Sequence, residues 1–222
     1  MSVEPTPHSA ALLQYVADHT RPEDPFLTGL REAARAEGLP AISIGPAQAS
    51  FLQVLLAAAR VRDVVEVGTL GGYSAISLAR ALAPGGKVRT IEVSAKHAAF
   101  ARAWVARSDV ADRVEVLLGP GAEVLATLPD GAADAVFLDA DKEGYLGYLE
   151  HARRLLRPGG LLLVDNAFAF GCLLDPDEDD ASVLAIRRFN DALAAAPDFH
   201  GVIVPLGDGL WVATYRPTGA GA

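Results

Sequence analysis

Short runs of β-branched and other apolar residues alternate with alanine-rich stretches of helical periodicity along most of this chain. The pattern predicts strands at 63–67, 87–93, 113–118, 133–139 and 160–165, and helices at 72–82, 94–108, 121–128 and 142–156. Strands that alternate with helices form βαβ units, in which neighbouring strands are parallel because the helix carries the chain back along the sheet. The alternation therefore predicts an α/β fold built on a mainly parallel sheet.

The two ends of the chain depart from this alternation. Residues 1–60 have helical patterns and precede the first strand, whereas strand-like runs at 200–206 and 210–216 are separated only by a Gly-Asp-Gly link. Three residues are too few for a helical crossover, so this last pair is predicted to form an antiparallel hairpin. We therefore predict one domain over 1–222, with an N-terminal helical region at 1–60 and a Rossmann-like core at 61–216.

Composition and charge exclude several classes of protein. The formal net charge is −9, whereas binding to nucleic acid or to an anionic membrane requires a basic face. The single cysteine, Cys172, cannot form an internal disulfide. The first residues lack the basic segment and apolar run of a signal peptide, and no apolar run reaches the ~18 residues of a membrane span. These features predict a cytoplasmic protein without a nucleic-acid or membrane partner.

The first predicted strand leads into a glycine-rich turn and a helix, in the stretch VVEVGTLGGYSAISLA at 64–79. Glycines allow the backbone to approach a ligand, and a helix N-terminus offers free N–H groups. Gly68, Gly71 and Gly72 do not follow the G-x-G-x-x-G spacing of dinucleotide enzymes, and no Walker lysine follows them. The spacing disfavours a nicotinamide-dependent oxidoreductase, which stays open as one alternative; a non-catalytic cofactor-binding module is another.

Two carboxylates accompany the glycine turn. Glu66 lies within the first strand, where it would repel phosphate but could hold a cationic or amino-acid ligand. Glu92 lies at the tip of the second strand, a position suited to a ribose diol. The structural alternative is that Glu66 caps the turn and that Glu92 is merely solvated.

Four stretches together resemble one family. They are VEVGTLGGYSAISLA (65–79), FLDADKEGYLGYLE (137–150), LLRPGGLLLVDNAFAFG (155–171) and PLGDGLWVATY (205–215). They are similar to the cofactor turn, metal strands and terminal hairpin of the cation-dependent O-methyltransferases, the catechol and caffeoyl-CoA group of class I S-adenosylmethionine-dependent methyltransferases. The resemblance implies a seven-stranded sheet of order 3-2-1-4-5-7-6 with only the hairpin strand antiparallel, extra N-terminal helices, and a homodimer.

The resemblance also assigns roles to individual residues. The residues it places around S-adenosylmethionine are Ile44, Glu66, Gly68, Thr69, Gly72, Ser74, Glu92, Gly121, Ala122 and Asp139. It makes Asp139, Asp165 and Asn166 the ligands of Mg²⁺, or of Mn²⁺ or Ca²⁺, and Lys142 the catalytic base. Asp141 is expected to orient Lys142 or water at the metal.

The sequence gives a separate argument for the metal site. Ligands of an open α/β sheet lie beyond the carboxyl ends of its strands, and Asp139 ends one predicted strand while Asp165 and Asn166 end the next. If these strands are neighbours, ~5 Å apart, the three side chains can converge. Carboxylate and amide oxygens are hard ligands that suit these cations. Lys142 follows Asp139 closely; the alternative to a catalytic role is a surface lysine paired with Asp141.

The predicted acceptor is a hydroxyl of a small molecule. Plant members of the resembled group carry an aromatic residue where this chain has Ala169, which disfavours a flat phenylpropanoid. The acidic run at 175–180 disfavours an anionic or CoA-ester substrate, unless it is simply a solvated loop. We predict O-methylation of a catechol or vicinal diol, in bacterial secondary metabolism, with a hydroxyl on a larger natural product or a carrier-tethered intermediate as the alternative.

Overall fold

The computed structural model describes residues 9–218. The α-helices of these residues are α1 (Ala10–His19), α2 (Pro25–Ala36), α3 (Pro46–Ala58), α4 (Tyr73–Ala81), α5 (Ala95–Val105), α6 (Gly121–Thr127), α7 (Tyr145–Leu155) and α8 (Ala181–Ala194). The strands are β1 (Asp63–Val67), β2 (Lys87–Glu92), β3 (Val114–Leu118), β4 (Ala133–Leu138), β5 (Leu156–Val164), β6 (Phe199–Val204) and β7 (Leu210–Tyr215). One-turn 3-10 helices follow β4 (Lys142–Gly144) and β5 (Ala169–Gly171). No helix within 9–218 is long and apolar enough to cross a membrane.

The strands form one sheet in the order β3-β2-β1-β4-β5-β7-β6. Strands β1 to β5 pair in parallel, and β7 runs antiparallel to both β5 and β6. This order and the terminal hairpin confirm the predicted fold class. Because the chain turns from β1 to β2 on one side and reaches β4 on the other, a crevice opens above the carboxyl ends of β1 and β4.

Alternation along the strands divides the core into two layers. Phe137 of β4 faces the layer that contains α2, α3, α4 and α5, whereas Val136 and Leu138 face the layer that contains α6, α7 and α8. Because successive side chains of a strand point to opposite faces, a strand covered by helices on both sides is apolar throughout. This explains the continuous apolar runs at 135–138 of β4 and 161–164 of β5.

The boundaries differ in detail from those predicted, and one helix was not predicted. Helix α8 lies directly after the acidic run, where Asp180 accepts hydrogen bonds from the backbone N–H groups of Ser182 and Val183. Its buried face includes Val183, Ile186 and Phe189, at helical spacing. The predicted helical region 1–60 contains α1 to α3, and residues 1–8 of it lie outside the described residues.

Candidate active site

A cavity of about 270 Å³ opens at the carboxyl ends of β1, β2 and β4. The predicted cofactor residues that line it are Ile44, Gly68, Thr69, Ser74, Glu92, Gly121 and Asp139. These residues come from the segment before α3, the glycine turn, the starts of α4 and α6, and the ends of β2 and β4. The fold therefore brings most of the predicted cofactor set to one place.

Three predicted cofactor residues do not line the cavity: Glu66, Gly72 and Ala122. Glu66 lies beneath the turn and is fully buried. Gly72 precedes α4 with a φ of 87°, in the left-handed region that favours glycine. A glycine is needed at this position for the backbone conformation of the turn. Ala122 is exposed on α6, next to the cavity residue Gly121.

The glycine turn packs directly on the end of β4. The Gly68 N–H donates to the Ile91 carbonyl at 3.0 Å, and a Cβ on Gly68 would lie 1.9 Å from the Asp139 carbonyl oxygen. Gly68 also has a φ of 108°. Any side chain at position 68 would push the turn away from the end of β4, where Asp139 lies. The close packing of Gly68 therefore keeps the cavity next to the predicted metal ligand Asp139.

Glu92 is held inside the cavity by the turn itself. Its carboxylate accepts hydrogen bonds from the Leu70 N–H at 2.7 Å and from the Ser94 N–H at 2.8 Å. The residue is only 6% exposed, so the alternative that it is a solvated surface residue is wrong. A carboxylate fixed at the tip of β2 suits the hydroxyls of a ribose.

Glu66 is a buried acid without a well-formed hydrogen bond. Neither carboxylate oxygen has a hydrogen-bond partner among residues 9–218. Burial raises the pKa of Glu66 to about 7, and the nearby hydroxyls of Ser74 and Thr90 offset only part of this rise. The Thr90 hydroxyl is itself 2.6 Å from the Thr69 hydroxyl. The Glu66 carboxylate beneath the cavity can therefore still accept hydrogen bonds. The alternative that Glu66 caps the turn is not supported by any hydrogen bond within residues 9–218.

Asp139 and Asp165 follow neighbouring strands at the same level. Leu138 pairs with Val164 in the sheet, and the Asp165 N–H donates to the Leu138 carbonyl at 3.0 Å. Burial raises the pKa of both carboxyls; that of Asp165 rises to about 6, with the charge of Asp139 as the second cause. The residues 9–218 contain no cluster of three His, Cys, Asp or Glu side chains suited to a metal, so a cation held here would depend on the Asn166 amide as well.

Lys142 is buried against this pair. Its Nζ is 3.3 Å from Asp139 Oδ1 and donates to the Tyr145 hydroxyl at 2.6 Å. Asp141 does not pair with Lys142 but accepts a hydrogen bond of 2.7 Å from the Tyr148 hydroxyl. The expectation that Asp141 orients Lys142 is therefore wrong, and so is the alternative of a surface lysine paired with Asp141; that Asp141 orients water at the metal stays a prediction.

Three polar residues at the site were missed by the sequence analysis: Tyr145, whose hydroxyl accepts from Lys142, and two more. The Gln48 Nε2 of α3 donates to Asp165 Oδ1 at 2.6 Å, and Asp208 of the terminal hairpin accepts from the Asn166 Nδ2 at 3.1 Å. Asp208 could have been found from the sequence. If the second strand of the terminal hairpin runs antiparallel to β5, the turn before that strand lies at the same edge of the sheet as Asp165. No sequence signal pointed to Gln48.

The acidic run is an ordered loop. The Arg187 guanidinium donates to the carbonyls of Leu173, Cys172 and Glu178 at 3.0, 2.9 and 3.3 Å, and also to that of Asp175. The single guanidinium of Arg187 on α8 therefore hydrogen-bonds to four backbone carbonyls of the loop that follows β5.

Residues 17–215 match a family described as O-methyltransferase. A catechol O-methyltransferase from Mycobacterium tuberculosis is 45% identical over 182 residues, which cover 82% of each chain. The solved O-methyltransferase from Bacillus cereus in complex with SAH is 37% identical with a TM-score of 0.85, over 93% of this chain and 97% of that one. TomG from Streptomyces achromogenes, an O-methyltransferase involved in tomaymycin synthesis and solved with SAM, is 33% identical with a TM-score of 0.84, over 93% and 96%.

These likenesses span nearly the whole described chain, and the observed fold agrees with them. The family match is to methyl transfer and not to nicotinamide-dependent oxidation or to a non-catalytic module. The chain belongs to the class I S-adenosylmethionine-dependent O-methyltransferases.

Proposed function

We propose that this O-methyltransferase binds a divalent cation, Mg²⁺ or alternatively Mn²⁺ or Ca²⁺, and methylates one of two adjacent oxygens on a catechol or vicinal diol. The observation that carries the proposal is the placement of Asp139, Asp165 and Asn166 at neighbouring strand ends beside the cofactor cavity. When bound, a divalent cation lowers the pKa of a hydroxyl and fixes its oxygen.

The donor set and its charge fit such a cation. Two carboxylates and an amide supply hard oxygen atoms, which suit Mg²⁺, Mn²⁺ and Ca²⁺ and not a thiolate-type zinc site. The pKa of Asp165 is raised to about 6 by burial and by the neighbouring Asp139 charge. A divalent cation held by these residues would favour the ionised form of both carboxylates and so offset this repulsion.

In this proposal, Lys142 takes the proton of the acceptor hydroxyl. Its Nζ lies 3.3 Å from Asp139 Oδ1 and is held from behind by the Tyr145 hydroxyl. In its uncharged form this amine accepts the hydroxyl proton while an oxygen lone pair attacks the sulfonium methyl carbon. The carbon–sulfur bond breaks with its electron pair left on sulfur, which gives the methyl ether and S-adenosylhomocysteine.

A second candidate acceptor is a hydroxyl on a larger natural product or carrier-tethered intermediate. The similarity to TomG favours it, since that protein is involved in tomaymycin synthesis. The cavity rim also favours it, because Ile42 lines the cavity and is 71% exposed. An open apolar rim of this kind can contact a part of the acceptor that extends beyond the cavity.

Methyl transfer from labelled S-adenosylmethionine tests the proposal. We expect turnover of catechol with Mg²⁺, loss of turnover with EDTA, and recovery when Mg²⁺ is restored. Resorcinol, whose two hydroxyls are not adjacent, should react at least about tenfold more slowly because it cannot chelate the cation. Turnover that is indifferent to EDTA would contradict the metal role, and turnover confined to larger ortho-diols would favour the second candidate.

A single substitution tests the role of Lys142. Lys142→Met is expected to lower kcat by about 100-fold or more, the usual loss for a general base, with S-adenosylmethionine affinity unchanged. Lys96→Met is the matched control, because Lys96 is exposed and its side chain donates within residues 9–218 only to the Glu37 carbonyl, at 2.7 Å. Equal activity of the two variants would overturn the role of Lys142.

A further inference from the structure

The turn of the terminal hairpin is clamped to the segment that follows the Asp165 strand. The Ala167 N–H donates to the Gly209 carbonyl at 2.9 Å, and the Phe168 N–H donates to the Asp208 carbonyl at 2.8 Å. These two backbone bonds join segments about 40 residues apart in the chain. They place the Asp208 side chain beside Asn166.

The Asp208 carboxylate makes two further bonds through a single oxygen. Its Oδ2 accepts from the Asn166 Nδ2 at 3.1 Å and from the Phe170 N–H at 2.8 Å. An ionised carboxylate can only accept hydrogen bonds, so the amide must turn its NH₂ group toward Asp208. The Asn166 carbonyl oxygen is thereby left free to accept or to ligate.

Close packing on both sides of Asp208 fixes the turn. A Cβ on Gly207 would lie 2.6 Å from the Gln48 side-chain oxygen, and one on Gly209 would lie 2.7 Å from the Phe168 ring. Both glycines have positive φ, 61° and 79°. A side chain on Gly209 would clash with Phe168, and one on Gly207 would have to displace the end of Gln48, so the turn is closely packed on both sides of Asp208.

Asn166 itself is held in an uncommon backbone conformation. Its φ is 65°, and Ala169 and Phe170 of the same segment also have positive φ, 53° and 58°. Non-glycine residues adopt this region at a cost and persist there only where their surroundings impose it. The hairpin turn supplies that constraint, because its bonds reach Asn166, Ala167, Phe168 and Phe170.

We propose that Asp208 is a positioning residue: it fixes the Asn166 amide so that its carbonyl oxygen is presented with the carboxylates of Asp139 and Asp165 to one divalent cation. This inference rests on the metal site of the proposed function. It predicts that Asp208 governs metal affinity through the orientation of Asn166, and not through its own negative charge. Asn166 acts on the cation, and Asp208 acts on Asn166.

Titration of the whole protein with Mn²⁺, followed by the electron paramagnetic resonance signal of the free ion, tests this role. Asp208→Ala should weaken Mn²⁺ binding by about 10- to 100-fold, as is typical when a partner that orients a metal ligand is removed. Asp208→Asn should stay within about threefold of wild type, because its amide oxygen can still accept from the Asn166 Nδ2. An equal loss in both variants would overturn the positioning role in favour of a simple charge effect.

A structural control separates this effect from general destabilisation. Asp198→Ala removes a carboxylate that accepts from Arg153 at 2.7 Å, away from the site at the start of β6, and should leave Mn²⁺ affinity unchanged. Thermal unfolding is followed in parallel. If Asp208→Ala does not fold, Asp208→Ser replaces it with the same expected loss, since a serine hydroxyl is too short to reach the amide.

One more variant distinguishes failure of this inference from failure of the metal site. If wild type binds Mn²⁺ no more tightly than Asp139→Ala does, the metal site is refuted and the role of Asp208 with it. If wild type binds Mn²⁺, Asp139→Ala does not, and Asp208→Ala binds within about twofold of wild type, only the role of Asp208 is overturned.

Discussion

Ionisation of the buried Glu66 lowers the free energy of unfolding of the cofactor-free protein. Its pKa is raised from 4.5 to about 7 by burial, so the folded protein retains a proton that the unfolded chain loses above pH 4.5. The contribution of Glu66 to the free energy of unfolding is therefore fully present below pH 4.5. It decreases as the pH rises toward 7 and is lost above that pH.

The substitution Glu66→Gln should expose this cost. At pH 8 the free energy of unfolding of the cofactor-free variant should exceed that of wild type by about 3 kcal/mol, and at pH 5 by only about 1 kcal/mol. Urea unfolding at both pH values measures the difference. Glu115→Gln, on an exposed position of β3, is the control and should show no such trend. A wild type that does not weaken relative to Glu66→Gln between pH 5 and pH 8 would refute the raised pKa.

Sequence reasoning found the residues whose chemistry is recognisable in a local stretch. Asp139, Asp165 and Asn166 end apolar strands, and Glu92 ends β2, so their place at one edge of the sheet followed from the parallel topology. Gln48 was not found, because its role depends on how α3 packs over the sheet, and a glutamine on a helix has no local pattern that reveals its partner.

At the scale of elements, periodicity predicted the parallel strands and the helices between them, because strands covered on both faces are apolar throughout. Helix α8 was missed although its signals were present. Asp180 is an N-cap, and Val183, Ile186 and Phe189 recur at helical spacing. The acidic run at 175–180 was interpreted as one loop throughout, whereas its last residue is the N-cap of the helix.

Helix α8 also orders the loop before it, and this can be tested through Arg187. Replacing Arg187 by Ala removes the donor that four loop carbonyls share. Hydrogen exchange of backbone amides at 172–180 should become at least about tenfold faster, because those carbonyls lose their common partner. Arg188→Ala, which alters an exposed neighbour on the same helix, should leave the exchange unchanged. Unaltered exchange in Arg187→Ala would show that the loop is ordered by other contacts.

At the scale of the whole molecule, α1 stands out because none of its residues is buried. Leu13, Tyr15 and Val16 are 55%, 59% and 47% exposed on a helix of only ten residues. An isolated helix this short is marginal in water, and most helical stability in proteins comes from packing of an apolar face. Its apolar residues therefore favour a covering surface, and the predicted homodimer would supply one from a second copy of the chain.

We predict that the protein is a dimer in solution and that α1 contributes to its interface. Light scattering after size-exclusion chromatography should give twice the chain mass of 23.2 kDa for wild type. Replacing Leu13 and Val16 by Ser should shift the mass to that of one chain without loss of the fold, because neither side chain contributes to the core of a single copy. Leu174→Ser, which alters a side chain that is 90% exposed outside α1, should remain dimeric. A wild type of single-chain mass would refute the dimer, and a dimer that survives both serines would place its interface elsewhere on the molecule.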